Sequence, residues 1–330
     1  MKNSCVSGAY SLGNPVNYTL IMHVITCFEV PINLFGAYCI LFKTPRRMAS
    51  VKWPMLILHM VCSIEDVFLS FFSIPFIYLP VLDGFPLGPL EFGTIVIFTM
   101  CILIGSTAAS ILLVYENRYN LLFGKDTWWE KIRKPFLILN FLLTPMFMIP
   151  LYHRIPEQNF AISVINEMMS CTPEHPPYPL LVMSLEPFFY FSMIAFIALT
   201  LTLEVLCFCG ILIFRSLNKD SEKSITSRNT LDLQKKFIIA LALQTLIPIC
   251  VIVLPIAYLT LTTFLGHYNQ ALNNLAISFF AFHGVLSTLI MVSVHTPYRK
   301  FVLKPIDQFR HSSNNNNNST FLINDNVYQS

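Results

Sequence analysis

Charge is what this 330-residue chain has least of: Lys, Arg, Asp and Glu make up 12% of it, against 55% hydrophobic residues and 29 Phe. Soluble globular domains carry roughly 25% charged residues, so that class is excluded and a membrane protein is indicated. Residues 1–17 lack an apolar core ending in small residues, so no cleavable signal peptide is expected and the first apolar helix must direct its own insertion. Neither a CxxC pair nor an HxxxH pair occurs, and Cys207 and Cys209 have the wrong spacing for a helix-face site, so no metal and no cofactor is expected. An intramembrane enzyme would need paired aspartates, a nucleophile with its base, or a histidine cluster. Asp66 has no second intramembrane aspartate, and His59 and His283 fall short of a ligand set. The expectation is that the chain is not an enzyme.

Apolar runs with almost no charge lie at about 19–42, 54–79, 94–115, 136–152, 187–214, 237–262 and 271–294. Each is near the roughly 17–25 residues that a helix needs to cross a bilayer. The expected fold is therefore an all-α membrane protein, a seven-transmembrane helix bundle over 19–294, with a tail at 1–18 and another at 295–330. Nineteen of the 21 Lys and Arg fall in 43–53, 116–135, 215–236 and 295–330, leaving only Lys2 and Arg154 for the other side. Basic residues concentrate in cytoplasmic loops, which places the N-terminus outside and the C-terminus in the cytoplasm. The net charge of +3 is thus a topology signal, with no nucleic-acid partner implied. Asn17-Tyr18-Thr19 fits a glycosylation acceptor on the outer side, though it abuts the first helix.

Seven of the nine cysteines fall inside the apolar runs. Cys5 and Cys171 are left on the oxidising face, and a disulfide between them is the economical pairing. The stretch "CTPEHPPYP" (171–179) has four prolines in nine residues, which favours either a stiff segment across the outer mouth or a plain connector. Ser224, Thr226 and Ser227 in the third inner loop are accessible to phosphorylation, and the Asn-rich tract 311–320 reads as disordered.

Ionisable groups at membrane depth are costly and should face the protein interior. Helical spacing puts His59, Cys62, Ser63, Asp66, Ser70 and Ser73 on one stripe of the second helix, and His283, Gly284, Ser287 and Thr288 on one stripe of the seventh. The two stripes form either a hydrogen-bonded packing network or an ion or proton site. Glu65 lies about 100° round the helix from Asp66, within reach of a neighbouring helix, and Glu29 and Glu204 read as satisfied core carboxyls. "IGSTAAS" (104–110) reads as a close-packing face. Apolar and aromatic residues of helices three, five and six, namely Phe98, Phe188, Phe189, Tyr190 and Tyr258, are candidate pocket residues for a small volatile, lipid-like or peptide cue.

At the inner end of the third helix, "ENR" (116–118) stands where rhodopsin-like receptors carry an acid-Arg-Tyr motif, but Arg118 follows Glu116 by two residues. The chain also lacks Asn-Pro-x-x-Tyr, having "HTPYR" (295–299) there, and lacks a cysteine at the outer end of helix three. The stretches 38–53, 112–123, 231–256 and 268–301, with the lone Cys171, resemble the nematode serpentine chemoreceptor family, class H (Srh), along nearly the whole chain. That resemblance implies a chemosensory G-protein-coupled receptor in the plasma membrane, on sensory-neuron cilia. It implies as partners an external chemical cue, a heterotrimeric G protein and membrane lipids. Glu116, Asn117, Arg118, Pro297, Tyr298 and Arg299 become candidates for coupling and switching, with Arg118 as the cation offered to the partner and Glu116 as its restraint; the alternative is that both only anchor the helix at the headgroups. A membrane transporter or ligand-gated channel is the rival function, and an odd helix count without an internal repeat argues against it.

Overall fold

The computed structural model describes residues 3–4, 12–79, 82–90, 93–168, 171–172, 180–218, 250–251, 253–266 and 269–304. In chain order they form β1 (Asn3–Ser4), α1 (Pro15–Lys43), α2 (Ala49–Val67, prolonged by a wide turn Phe68–Ser73), β2 (Pro75–Tyr78) and β3 (Leu82–Pro86). There follow α3 (Gly93–Tyr119, prolonged through Asn120–Gly124), α4 (Trp128–Tyr152), α5 (Gln158–Met168), β4 (Cys171–Thr172), β5 (Leu181–Ser184) and α6 (Pro187–Asn218). Then come α7 (Val253–Leu265), α8 (Gln270–Ala281), α9 (His283–Val294) and a last helix, α10, over 296–304.

Among the described residues, α1, α2, α3, α4, α6 and the continuous pair α8–α9 are long and apolar enough to cross a membrane, and α7 is a shorter apolar helix in the place of the sixth span. The chain is a seven-helix membrane bundle. The first half of the sixth run, with most of the loop before it and the candidate phosphorylation sites, lies in 219–249, outside the described residues. So do the glutamate and prolines of 173–179 and the asparagine tract.

Several element ends differ from the sequence reading, three of them for a clear local reason. The second apolar run is helical only to Ser73, because Ile74 takes a left-handed conformation (φ 39°) ahead of Pro75, and the chain leaves as β2. A residue before proline is disfavoured in the α region, and proline has no N–H to continue the helix. The fourth helix begins at Trp128 rather than near 136, since "WWEKIRK" adds an amphipathic turn whose start is tied by Glu130 Oε2 accepting from the Asp126 N–H at 3.1 Å. Charged turns extend a helix past the apolar limit without breaking it. Beyond Val294 the chain bends at His295 and resumes as α10, so the basic tail opens with a helix.

At the end of the bundle that carries the N-terminus, β2, β3 and β5 form an antiparallel sheet in that order, a cap made from two different loops. Phe76, Tyr78 and Phe85 of the cap pack with Tyr18 and Met22 of α1, Leu69, and Ile277 and Phe280 of α8. The first packing cluster thus joins the cap to the bundle. At α3, a Cβ on Gly105 would fall on the Thr144 side chain of α4, so the small-residue face does bring two helix backbones close together.

Candidate functional site

The polar core gathers on α1, α2, α3 and the α8–α9 junction. Helix seven is interrupted at Phe282, whose backbone (φ −83°, ψ −1°) closes α8, and α9 restarts at His283. That break swings the imidazole against α2: Nδ1 lies 2.7 Å from Asp66 Oδ1 and 3.1 Å from the Phe280 carbonyl. Glu65 reaches the other side of the ring, with Oε2 4.0 Å from Nε2, and accepts a hydrogen bond from Thr107 of α3. One buried imidazole therefore stands between two buried carboxyl groups contributed by adjacent residues of α2.

A second layer ties these groups to α1. Asn33 donates to Asp66 Oδ2 at 3.4 Å, its Oδ1 accepts from Thr288 at 3.0 Å, and its carbonyl lies 2.8 Å from His59 Nε2. Glu29, one turn earlier on α1, accepts from Ser70 at 2.9 Å, and Ser70 is bonded in turn to Thr26. Close approach is enabled by glycine at two points. A Cβ on Gly36 would lie 2.7 Å from His59 and from Thr288, and a Cβ on Gly284 would fall on the Asp66 carboxylate.

Of the residues read from sequence, His59, Asp66 and His283 meet here. Ser63 turns its hydroxyl back to the His59 carbonyl at 2.7 Å, and its neighbour in the reading, Ser287, is only partly buried while Thr288 makes the contact with Asn33. Glu65, Asn33 and Thr107 are the additions. Glu29, Asn33 and Gly36 recur at helical spacing on α1, a polar stripe visible to the same argument that found the stripe on α2.

The basic end of the bundle holds the second group of candidates. Arg133 of α4 grips both oxygens of Glu116, at 3.0 and 2.9 Å, and the Trp129 indole donates to Glu116 Oε1 at 2.9 Å. Glu116 is thereby fastened across helices to α4, and Arg118 sits half-buried on the same last turn of α3. Asn117 donates to the Ser50 carbonyl at 3.1 Å, tying α3 to α2. Tyr298 is fully buried, its hydroxyl 2.8 Å from that of Thr44, and burial raises its pKa above the usual phenol value. His295 beside it is pushed down to about 4 by burial and so is neutral at physiological pH. Pro297 stands in the first turn of α10, and Arg299 reaches back to the Ser293 carbonyl at 3.3 Å.

Three of the five aromatic pocket candidates share one packing cluster, and two lie apart from it. Phe98, Phe189 and Tyr190 pack with Met148, Leu151 and Met183 between α3, α4 and α6, where the Tyr190 hydroxyl donates to the Leu151 carbonyl at 2.6 Å. Phe188 points away, 65% exposed, against Phe264. Tyr258 on α7 donates to Asn273 at 3.4 Å, apart from the others. Spacing fixed which faces were apolar, but the rotation of α6 decides which aromatic points inward. A crevice of about 420 Å³ opens instead between α4 and α6, lined by Trp129, Phe136, Thr200, Leu203, Glu204, Cys207 and Phe208.

Residues 13–308 match the family described as "Serpentine type 7TM GPCR chemoreceptor Srh". The chain belongs to the Srh family. Serpentine receptor class H-72 of Caenorhabditis elegans is 27% identical over 306 residues, covering 84% of this chain and 82% of the relative. Serpentine receptor class delta-51 of the same organism is 29% identical over 206 residues, 61% of this chain and 59% of the relative. As a serpentine chemoreceptor with several apolar spans, this Srh protein is a multi-pass membrane protein, and its family is one of receptors. Its buried His283–Asp66–Glu65 core lies where the broken seventh helix meets α2 and α3.

Proposed function

We propose that the protein is a chemosensory G-protein-coupled receptor, oriented with its N-terminus outside and displayed at the plasma membrane of sensory-neuron cilia. An external cue binds in the outer half of the bundle, and a heterotrimeric G protein is activated at the basic, cytoplasmic face. The observation that carries the reading is the polar core itself. A carboxyl–imidazole–carboxyl cluster joins α2 and α3 to the break in helix seven, so a shift of α8 under the cap moves His283 relative to Asp66 and Glu65. Such a cluster has discrete pairings of proton and partner, which gives the bundle two packings that a ligand and a G protein can each favour.

At the basic end, Arg118 is the cation offered to the G protein, and the Glu116–Arg133 pair holds α3 to α4 in the resting packing. The experiment is to express the full chain in cells with a calcium or cAMP reporter and apply a chemical panel, with surface receptor counted in parallel. Asp66→Asn keeps an acceptor for Asn33 but removes the charge facing His283, so it should reach the surface and show altered basal or ligand-driven signalling. A surface-expressed Asp66→Asn variant that signals like the parent removes the polar core from the mechanism.

A further inference from the structure

Outside the polar core, one carboxyl group of the described chain is enclosed without explanation. Asp83 of β3 is 2% exposed, and neither of its carboxylate oxygens has a hydrogen-bond partner on another residue. It is no rim residue. The sheet register sets Asp83 directly opposite Tyr78 of β2 and beside Val182 of β5, with Phe76 paired to Phe85 two positions along. Directly opposed residues of an antiparallel pair share a face, and so do residues two apart. Asp83 therefore lies on the face of the cap that carries Phe76, Tyr78 and Phe85. That face is the one packed against α1 and α8, and its rings sit 5.2–6.0 Å apart centroid to centroid.

A buried carboxyl with no donor is expensive, and a native structure that retains one calls for an explanation such as an absent ligand or a catalytic role. The cap has no visible structural use for this group. Its same-face neighbours on β2 and β3, Tyr78 and Phe85, are aromatic; aromatic rings attract cations through the ring quadrupole, and an acid beside them suits an ammonium group. Burial pushes the Asp83 carboxyl up to about 8, opposed by its own backbone N–H, and among the described residues no cation offsets it. Its place supports the same use, because the cap joins two loops over the end of the bundle where the proposed cue would arrive.

We infer that Asp83 anchors a cation site under the cap, taking a ligand with a protonated primary amine on an apolar or aromatic body: on binding, Asp83 releases its proton to solvent, the ammonium sits on the resulting carboxylate and the body lies against Tyr78 and Phe85. This inference rests on the receptor reading above and narrows its ligand to a chemical class. Binding would give the carboxylate the donor it lacks and would tie β3 more tightly to the face that meets α1 and α8, the direction in which the polar core lies.

The test uses the purified full-length protein in detergent or nanodiscs and reads its melting temperature with 2-phenylethylamine and hexylamine, each beside the alcohol of the same skeleton. The expected result is that an amine of the set raises the melting temperature, the matched alcohol does not, and Asp83→Asn weakens the apparent affinity roughly tenfold or more, as loss of a charged hydrogen bond would. Asp83→Asn keeps the shape of the protonated carboxyl, cannot become an anion and should fold at least as well as the parent; Asp83→Ser serves as a second variant. No shift with either amine, equal shifts with the alcohols, or an undiminished shift in both variants overturns the inference. The two readings fail separately. Signalling to uncharged members of the chemical panel without amine binding leaves the receptor and removes the amine site, whereas amine binding without any signalling leaves the site and removes the receptor.

Discussion

Asp83 keeps its proton in the folded protein because burial penalises the carboxylate, and that has a consequence for stability as a function of pH. Its folded pKa is raised from 3.8 to about 8. The unfolded chain releases the proton near pH 4 while the folded chain holds it to about pH 8, so the folded state binds more protons across that window. Stability is then greatest below pH 4, falls as pH rises towards 8 and is level above. At pH 7 the penalty has an upper bound of about 4 kcal/mol, from 1.36 kcal/mol per pKa unit. Asp83→Asn should melt at a higher temperature than the parent at pH 7, with the difference shrinking towards pH 4. Melting curves of the two purified proteins between pH 4.5 and 8 check this, and parallel curves would show that the carboxyl is not desolvated. Asp83 was legible as an acid of an outer loop, but its burial was not, since nothing in 80–93 announces a strand that pairs with both 75–78 and 181–184.

Helices were readable wherever a lipid-facing run sets the period, because apolar length is dictated by bilayer thickness and leaves its mark residue by residue. Ends and rotations were less so. The stop at Ser73 depends on one left-handed residue before a proline, and the inward turn of Tyr190 but not Phe188 depends on how α6 leans on α4. Partner choice was the hardest to read. "ENR" invites a pairing of Glu116 with Arg118, yet both Glu116 oxygens receive Arg133, fifteen residues beyond Arg118 and on another helix. A clamp between α3 and α4 makes a specific expectation. Glu116→Gln should loosen the basic end and raise ligand-independent signalling per surface receptor, and Arg133→Gln should do the same, with the double variant little different from either. Arg118→Ala should instead leave surface level and ligand binding nearly intact while G-protein activation falls sharply. If all three only lower surface expression, with signalling per receptor unchanged, these residues anchor the helix at the headgroups and do not switch it.

Across the whole molecule, the N-terminal segment is joined to the loop that follows α5 by β1 and β4, a parallel pairing in which Asn3 opposes Cys171 and Ser4 opposes Thr172. Cys5 and the Cys171 side chain lie outside the described residues, but Cys5 follows β1 by one residue, and Cys171 begins β4. The backbone pairing therefore favours the disulfide that the cysteine distribution predicts, on the side read as oxidising. Such a bond would close a loop spanning four apolar helices, α1 to α4, and hold the tail over the cap end, where α1 and the cap sheet share one packing cluster. By loop-closure entropy a ring of that length is worth up to about 5 kcal/mol, reduced by whatever structure the unfolded chain retains in the bilayer. Cys5→Ser and Cys171→Ser should then lower the melting temperature equally, and the double variant should match either single one, because each removes the same bond. Non-reducing peptide mapping should find Cys5 joined to Cys171 in the parent. Two free thiols there, or additive losses in the double variant, would mean that the tail is held by β1 and β4 alone, and that the two cysteines act independently.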